Sequence, residues 1–346
     1  MKTNTGRLSW IDNCKALTIC FVIFFHESQF WNWGGHFLMP ILHLFTASFI
    51  MPMFVMISGY CGLNSLKKNT SVMDVKTYNI KNFKRIYLPS LSVSIVLCLL
   101  RFEQFSTVKG LLGGNWFLTM LFAVMLASSV VWFISNKISA NHTLAVFIPL
   151  AFALLIFVDP VHIGEMAPYF LIGLIIRQTD AVNKYFNKRW VVSAIVIFTT
   201  ILFTLLIWTG LLKNTLGTFY RYNFLYFLQN GTIYYWLLRL LLSTSICLSI
   251  MALFYKFSRN YSKFSWLGSQ TLSLYLFSSV PMYIWYSRES TPMLLSEKLY
   301  DFICSHVATL YLANTIVFAL TIAVCLLLTY VLGKWKYTRL LFLGKD

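Results

Sequence analysis

Arg7-Leu-Ser-Trp10-Ile-Asp12-Asn-Cys-Lys15, followed after ten mostly apolar residues by His26-Glu27, is the stretch that decides how the chain folds. At 100° and 1.5 Å per residue, Lys15 and His26 differ by about 20° around a helix and by about 16–17 Å along it. Asp12 falls within about 40° of the same stripe. A helix from Trp10 to Phe30 is long enough to cross a bilayer, so it carries these polar groups to membrane depth. A lysine near the centre of a spanning helix costs roughly 2.5–3.5 kcal/mol on insertion scales. Ionisable groups kept at that cost mark chemistry or a polar path.

The rest of the composition agrees with a membrane setting. The chain is 58% hydrophobic and only 11% charged, with 31 Phe, 19 Tyr and 11 Trp, too few charges to cover a soluble surface. One integral-membrane domain over 1–346 is expected, an all-α polytopic bundle of about ten transmembrane helices. The apolar stretches run 10–30, 38–62, 86–102, 114–135, 143–159, 166–178, 190–212, 231–255, 269–287 and 311–333. Asp159-Pro160 should break the fifth from the sixth, because proline cannot continue the helical ladder. No short apolar run is followed by a small-residue cleavage site, so no cleaved signal peptide is expected.

The net charge of +17 does not indicate nucleic acid, because the basic residues are dispersed between apolar spans. Alternate connecting segments hold 20 Lys and Arg against 6 in the others, with Lys15 and Arg239 lying inside spans. That asymmetry predicts an even helix count and cytoplasmic termini in the inner (plasma) membrane, with attraction to membrane lipids. Aromatic runs at the opposite edges, Phe30 to Trp33 and Phe219 to Tyr226, fit an interfacial belt. The seven cysteines form no CxxC pair and no zinc spacing with histidine, so no metal is expected. His36, His43, His142, His162 and His306 sit near predicted span ends and converge on no evident site.

His26 is the leading candidate for chemistry, with Asp12, Lys15 and Glu27 on its helix. Neutral imidazole is well suited to accept a proton near neutral pH, as a hydroxyl attacking an acyl thioester requires. Lys15 supplies positive charge to an oxyanion or phosphate, or else snorkels to the headgroups. Lys84 and Arg85, within Lys81-Asn-Phe-Lys84-Arg85-Ile-Tyr-Leu-Pro89, read as an interfacial anchor or as a grip on phosphates.

These segments together resemble the integral-membrane acyltransferase family acyltransferase 3, closest to a branch similar to fucose 4-O-acetylase. Trp10-Ile-Asp12-Asn-Cys-Lys15 with His26 is one such segment, and Phe49-Ile-Met-Pro52 through Ser58-Gly59-Tyr60 is similar to the family's "MPLFFFLSGY". Lys84-Arg85-Ile-Tyr-Leu-Pro89, Asn115-Trp116-Phe117-Leu118, Tyr169-Phe170-Leu-Ile-Gly173 and Leu267-Gly268 through Tyr275-Leu276 follow in the family's order. The resemblance implies ten helices and transfer of an acetyl group from acetyl-CoA to a sugar or similar acceptor, modifying a polysaccharide or lipid-linked sugar of the cell envelope. It implies that His26 is the catalytic histidine, that Lys15 is the basic residue preceding it, and that Lys84 and Arg85 face the donor's phosphates. Arg7 and Trp116 are placed with the donor site. Two departures stand out: Ile50 and Ser278 occupy positions where the family often has histidine. The rival class is a transporter or flippase for a lipid-linked saccharide, in which the buried ionisable groups form a path.

Overall fold

The computed structural model describes residues 8–29, 31, 33, 38–99, 115–139, 143, 145–148, 150, 163–211, 230–257, 262–285 and 297–345. Arg7, Asp159-Pro160, the run Phe219 to Tyr226 and most of the fifth apolar stretch lie outside them. The described residues are helical, with no strand among them.

The helices are α1 (Ser9–Ser28), α2 (Leu38–Leu66), α3 (Val72–Asn82), a π-helical turn (Phe83–Tyr87), α4 (Leu88–Leu99) and α5 (Trp116–Ile138). They continue with α6 (Ile163–Gln178), α7 (Ala181–Tyr185), α8 (Arg189–Trp208), α9 (Ile233–Phe257) and α10 (Ser262–Ser269). Last come α11 (Thr271–Trp285), α12 (Glu297–Ser305), α13 (Val307–Leu332) and α14 (Lys336–Leu343). Among the described residues, α2, α5, α8, α9 and α13 are long and apolar enough to cross a membrane, and α11 holds a shorter apolar run over Thr271–Val280. The molecule is thus an all-helical, multi-pass membrane protein.

Polarity decides which helix is inside. α1 carries Asp12, Asn13, Glu27 and Ser28, all buried, and it packs against α2, α9, α10, α11 and α13. Other helices take the outer positions: α8 and α13 turn most of their apolar side chains outward. The polar helix is thereby kept from hydrocarbon, where unpartnered polar groups are costly. A second polar feature is hidden in the same way. Arg239 of α9 donates to Glu165 of α6 at 3.0 Å, and both side chains are buried. Removing one partner of such a pair typically costs 3–5 kcal/mol, because the other charge is left behind.

Helices come closest where side chains are smallest. A Cβ on Gly59 of α2 would overlap the carbonyl oxygen of Phe170 on α6, and one on Gly173 would overlap that of Met56. Small residues at such crossings let backbones meet, which is how helices associate without a water-driven term.

The basic segments are drawn together at one end. Trp10 contacts Tyr60 at 5.5 Å and Tyr255 at 5.8 Å, and Arg177 donates to the Tyr60 hydroxyl at 3.1 Å. Tyr255 donates to Asn183 and Lys256 to the Asn187 carbonyl. The opposite end is aromatic: Trp31 stacks on Tyr300 at 5.9 Å, and Trp33 donates to the Ser28 carbonyl.

Candidate active site

A cavity of about 270 Å³ lies at the basic end, between α1, α2, α3, α5 and the α10–α11 corner. Its wall is cationic on one side, from Lys15, Lys81 and Arg85. Ser58, Ser65, Ser269, Thr271 and Tyr78 also line it, as does the exposed Cys61. Aromatic rings crowd another part of the wall, where Phe117 lies 5.9 Å from Phe54 and 5.5 Å from Tyr275. Charge beside an aromatic, apolar stretch suits a ligand with an anionic head and an extended, less polar arm.

Each cation is placed by its helix. Lys15 pairs with Asp12 across one turn of α1 at 3.6 Å, and its side chain keeps 24% of its exposure while Asp12 keeps 4%. Gly268 presses on the Asp12 carbonyl, so the α10–α11 corner seats directly on α1 behind Lys15. Arg85 sits in the π-turn, closed by the Leu88 N–H donating to the Phe83 carbonyl. The turn holds one residue more than an α-turn, and such insertions concentrate at functional sites. Lys81 and Asn82 end α3, whose start is fixed by a capping box between Ser71 and Asp74.

Asn82 is a residue the sequence reading missed. It is buried on the cavity wall, and its Nδ2 has no hydrogen-bond partner among the described residues. Beside it, burial pushes the Tyr78 phenol up to about 12. Nothing in a segment read as a basic anchor marks an asparagine as buried; only the packing of α3 against α5 does so.

The other sequence-proposed residues fall in several places. His26 does not line this cavity; it lies three turns farther along α1, with an edge contact with Phe25 at 5.6 Å. Glu27, next in sequence and so about 100° around the helix, accepts a hydrogen bond from Thr321 of α13 at 2.6 Å. Lys84 is exposed and off the cavity wall, where Lys81 stands instead. Trp116 is also off the wall, which its neighbours Phe117 and Leu118 form. Arg7 lies outside the described residues. Ile50 is buried in the core, and Ser278 donates to its own helix at Tyr275.

Beyond His26, a second hollow is bounded by Ser28, Gln29, Trp31, Trp33 and His43. There His43 Nε2 lies 2.6 Å from the Ser28 hydroxyl, and its ring meets Phe25 at 5.4 Å. α1 thus runs from a cationic cavity at one end to an aromatic, polar hollow at the other.

Residues 8–334 match the profile of the acyltransferase domain family acyltransferase 3. The chain belongs to that family. No curated protein and no solved structure matches it. As a member of acyltransferase 3, the molecule is a membrane acyltransferase, and the match takes in every residue of both hollows just described. It ends before α14, which this acyltransferase carries beyond the matched region.

Proposed function

We propose that this acyltransferase moves an acetyl group from acetyl-CoA to a hydroxyl of a cell-surface or lipid-linked sugar. The observation that carries the reading is the cationic cavity with aromatic rings in its wall, on the same helix as His26. The donor's phosphates sit among Lys15, Lys81 and Arg85, where forked and ammonium donors meet phosphate oxygens. The pantetheine arm passes Phe54, Phe117 and Tyr275 and brings the thioester toward His26, a distance of about 16–17 Å along α1 from Lys15. The acceptor comes from the Trp33 and His43 end. His26 takes the proton of the acceptor hydroxyl, the oxygen bonds to the thioester carbonyl carbon, the carbon–sulfur bond breaks, and the thiolate recovers the proton. The basic end faces the cytoplasm, where the donor is supplied. The apolar stretches beyond the five long helices complete a bundle of about ten spans.

Cys61 makes the donor step measurable. In a variant whose other cysteines are alanine, saturating acetyl-CoA should slow maleimide labelling of Cys61 at least tenfold, and adenosine should not. Labelling that is indifferent to acetyl-CoA at every concentration would take the donor out of this cavity.

A further inference from the structure

The C-terminal turn after α14 touches both sides of the cationic cavity. α14 packs on α4 and on the π-turn, and Leu343 is buried. The helix ends in a left-handed turn at Gly344, with φ at +62°, where the Gly344 N–H donates to the Leu340 carbonyl and the Lys345 N–H to the Arg339 carbonyl. The first of these is the 5→1 bond of an αL cap, which favours glycine at the left-handed position. Glycine is needed here for a second reason. A Cβ at 344 would overlap the carbonyl oxygen of Arg85 and stand 2.8 Å from its carbonyl carbon. One residue later, Lys345 Nζ donates to Gln270 Oε1 at 3.2 Å, and Gln270 lies between Ser269 and Thr271 on the opposite wall.

We infer that the turn Leu343–Lys345 is a positioning element of the donor site, holding the Arg85 backbone against the α10–α11 corner so that the guanidinium meets the donor's phosphates. The close approach of Gly344 to the Arg85 carbonyl leaves that backbone no room to shift toward α14. The element lies outside residues 8–334, the part of the chain matched to the family. The inference rests on the acetyl-CoA reading of the cavity, and its test separates the two.

Donor KM and kcat are measured in membranes for G344A, R85A and the double variant R85A/G344A. G344A should raise the acetyl-CoA KM at least fivefold, with kcat at saturating donor within twofold of the parent. In the R85A background the same change should leave KM where R85A alone puts it, because the turn acts through Arg85. General damage to the fold would instead lower kcat and thermal stability in both backgrounds, and that outcome overturns the inference. An R85A variant with the parent's KM overturns the donor reading and the positioning role together. A raised KM in R85A with an unchanged one in G344A overturns the positioning role alone. Should G344A fail to accumulate, Q270L removes the other tether without a new clash; a KM rise of about twofold supports the inference, and none overturns it.

Discussion

At the residue scale, two side chains carry distinct and separable roles. On the proposed mechanism His26 is the base and Asn82 a contact for the donor; they lie on different helices, and of the two only Asn82 lines the cationic cavity. General-base catalysis by a positioned histidine contributes about 10²–10⁴-fold. H26A is therefore expected to lower kcat at least a hundredfold while leaving the protection of Cys61 by acetyl-CoA intact, since His26 is absent from the cavity wall. Loss of protection together with turnover would show that His26 shapes the donor site instead. For Asn82 the signs of two effects differ. Its buried Nδ2 has no partner among the described residues, and an unsatisfied group of this kind costs about 1–3 kcal/mol. N82L fills similar space without that donor. It should raise the donor KM about fivefold, the loss of one neutral hydrogen bond of about 1 kcal/mol, without lowering the melting temperature of the unliganded protein. A lowered melting temperature with unchanged KM would make Asn82 a structural residue.

At the element scale, helix crossings and helix starts are held by features of different legibility. Gly59 and Gly62 stand one turn apart on α2, yet they meet α6 differently. A Cβ on Gly59 would overlap the Phe170 carbonyl, whereas one on Gly62 would reach the Phe170 ring edge at 3.7 Å, an ordinary contact. G59A should cost about 1–3 kcal/mol, the usual range for overpacking, and lower the unfolding temperature in detergent, while G62A should change it little. Equal effects would show that the α2–α6 crossing is not set by backbone contact. The start of α3 answers to pH. Hydrogen bonds from the Ser71 hydroxyl and backbone hold the Asp74 carboxyl below the usual aspartate range. A depressed folded-state pKa means that the cap's contribution is complete above about pH 4 and is lost as pH falls through the lowered value. Amide protection in the first turn of α3 should fall there, and D74N should lack the transition. The long apolar helices were legible from hydropathy, as α2, α5, α8, α9 and α13 show. The short amphipathic pieces were not, because α3, α10 and α14 have no spanning-length apolar run; tertiary contacts place them. For the same reason Lys15 and Arg85 could be read from motif spacing, whereas Asn82, Cys61 and Gly344 gain meaning only from what the fold sets beside them.

At the scale of the whole molecule, the proposed direction rests on charge, and it decides which side supplies the donor. The 20-to-6 division of basic residues was read along the chain, but a chain-level count does not show that those segments meet. The contacts from Trp10 to Tyr255, Arg177 to Tyr60 and Lys345 to Gln270 join them into one cationic face around the cavity. Basic residues concentrate on cytoplasmic segments, and acetyl-CoA is a cytoplasmic polyanion, so one orientation satisfies both the insertion rule and the proposed chemistry. Two cysteines at opposite ends test it. Cys61 lies on the cavity wall, and Cys304 lies on α12 with Tyr300, which stacks on Trp31 at the aromatic end. In variants keeping one cysteine each, a membrane-impermeant maleimide applied to intact cells should label Cys304 and reach Cys61 only after permeabilisation. The reverse pattern would place Lys15, Lys81 and Arg85 outside, away from any supply of acetyl-CoA. The cationic cavity would then need an extracellular anion as its ligand, and His26 would work toward the cytoplasm.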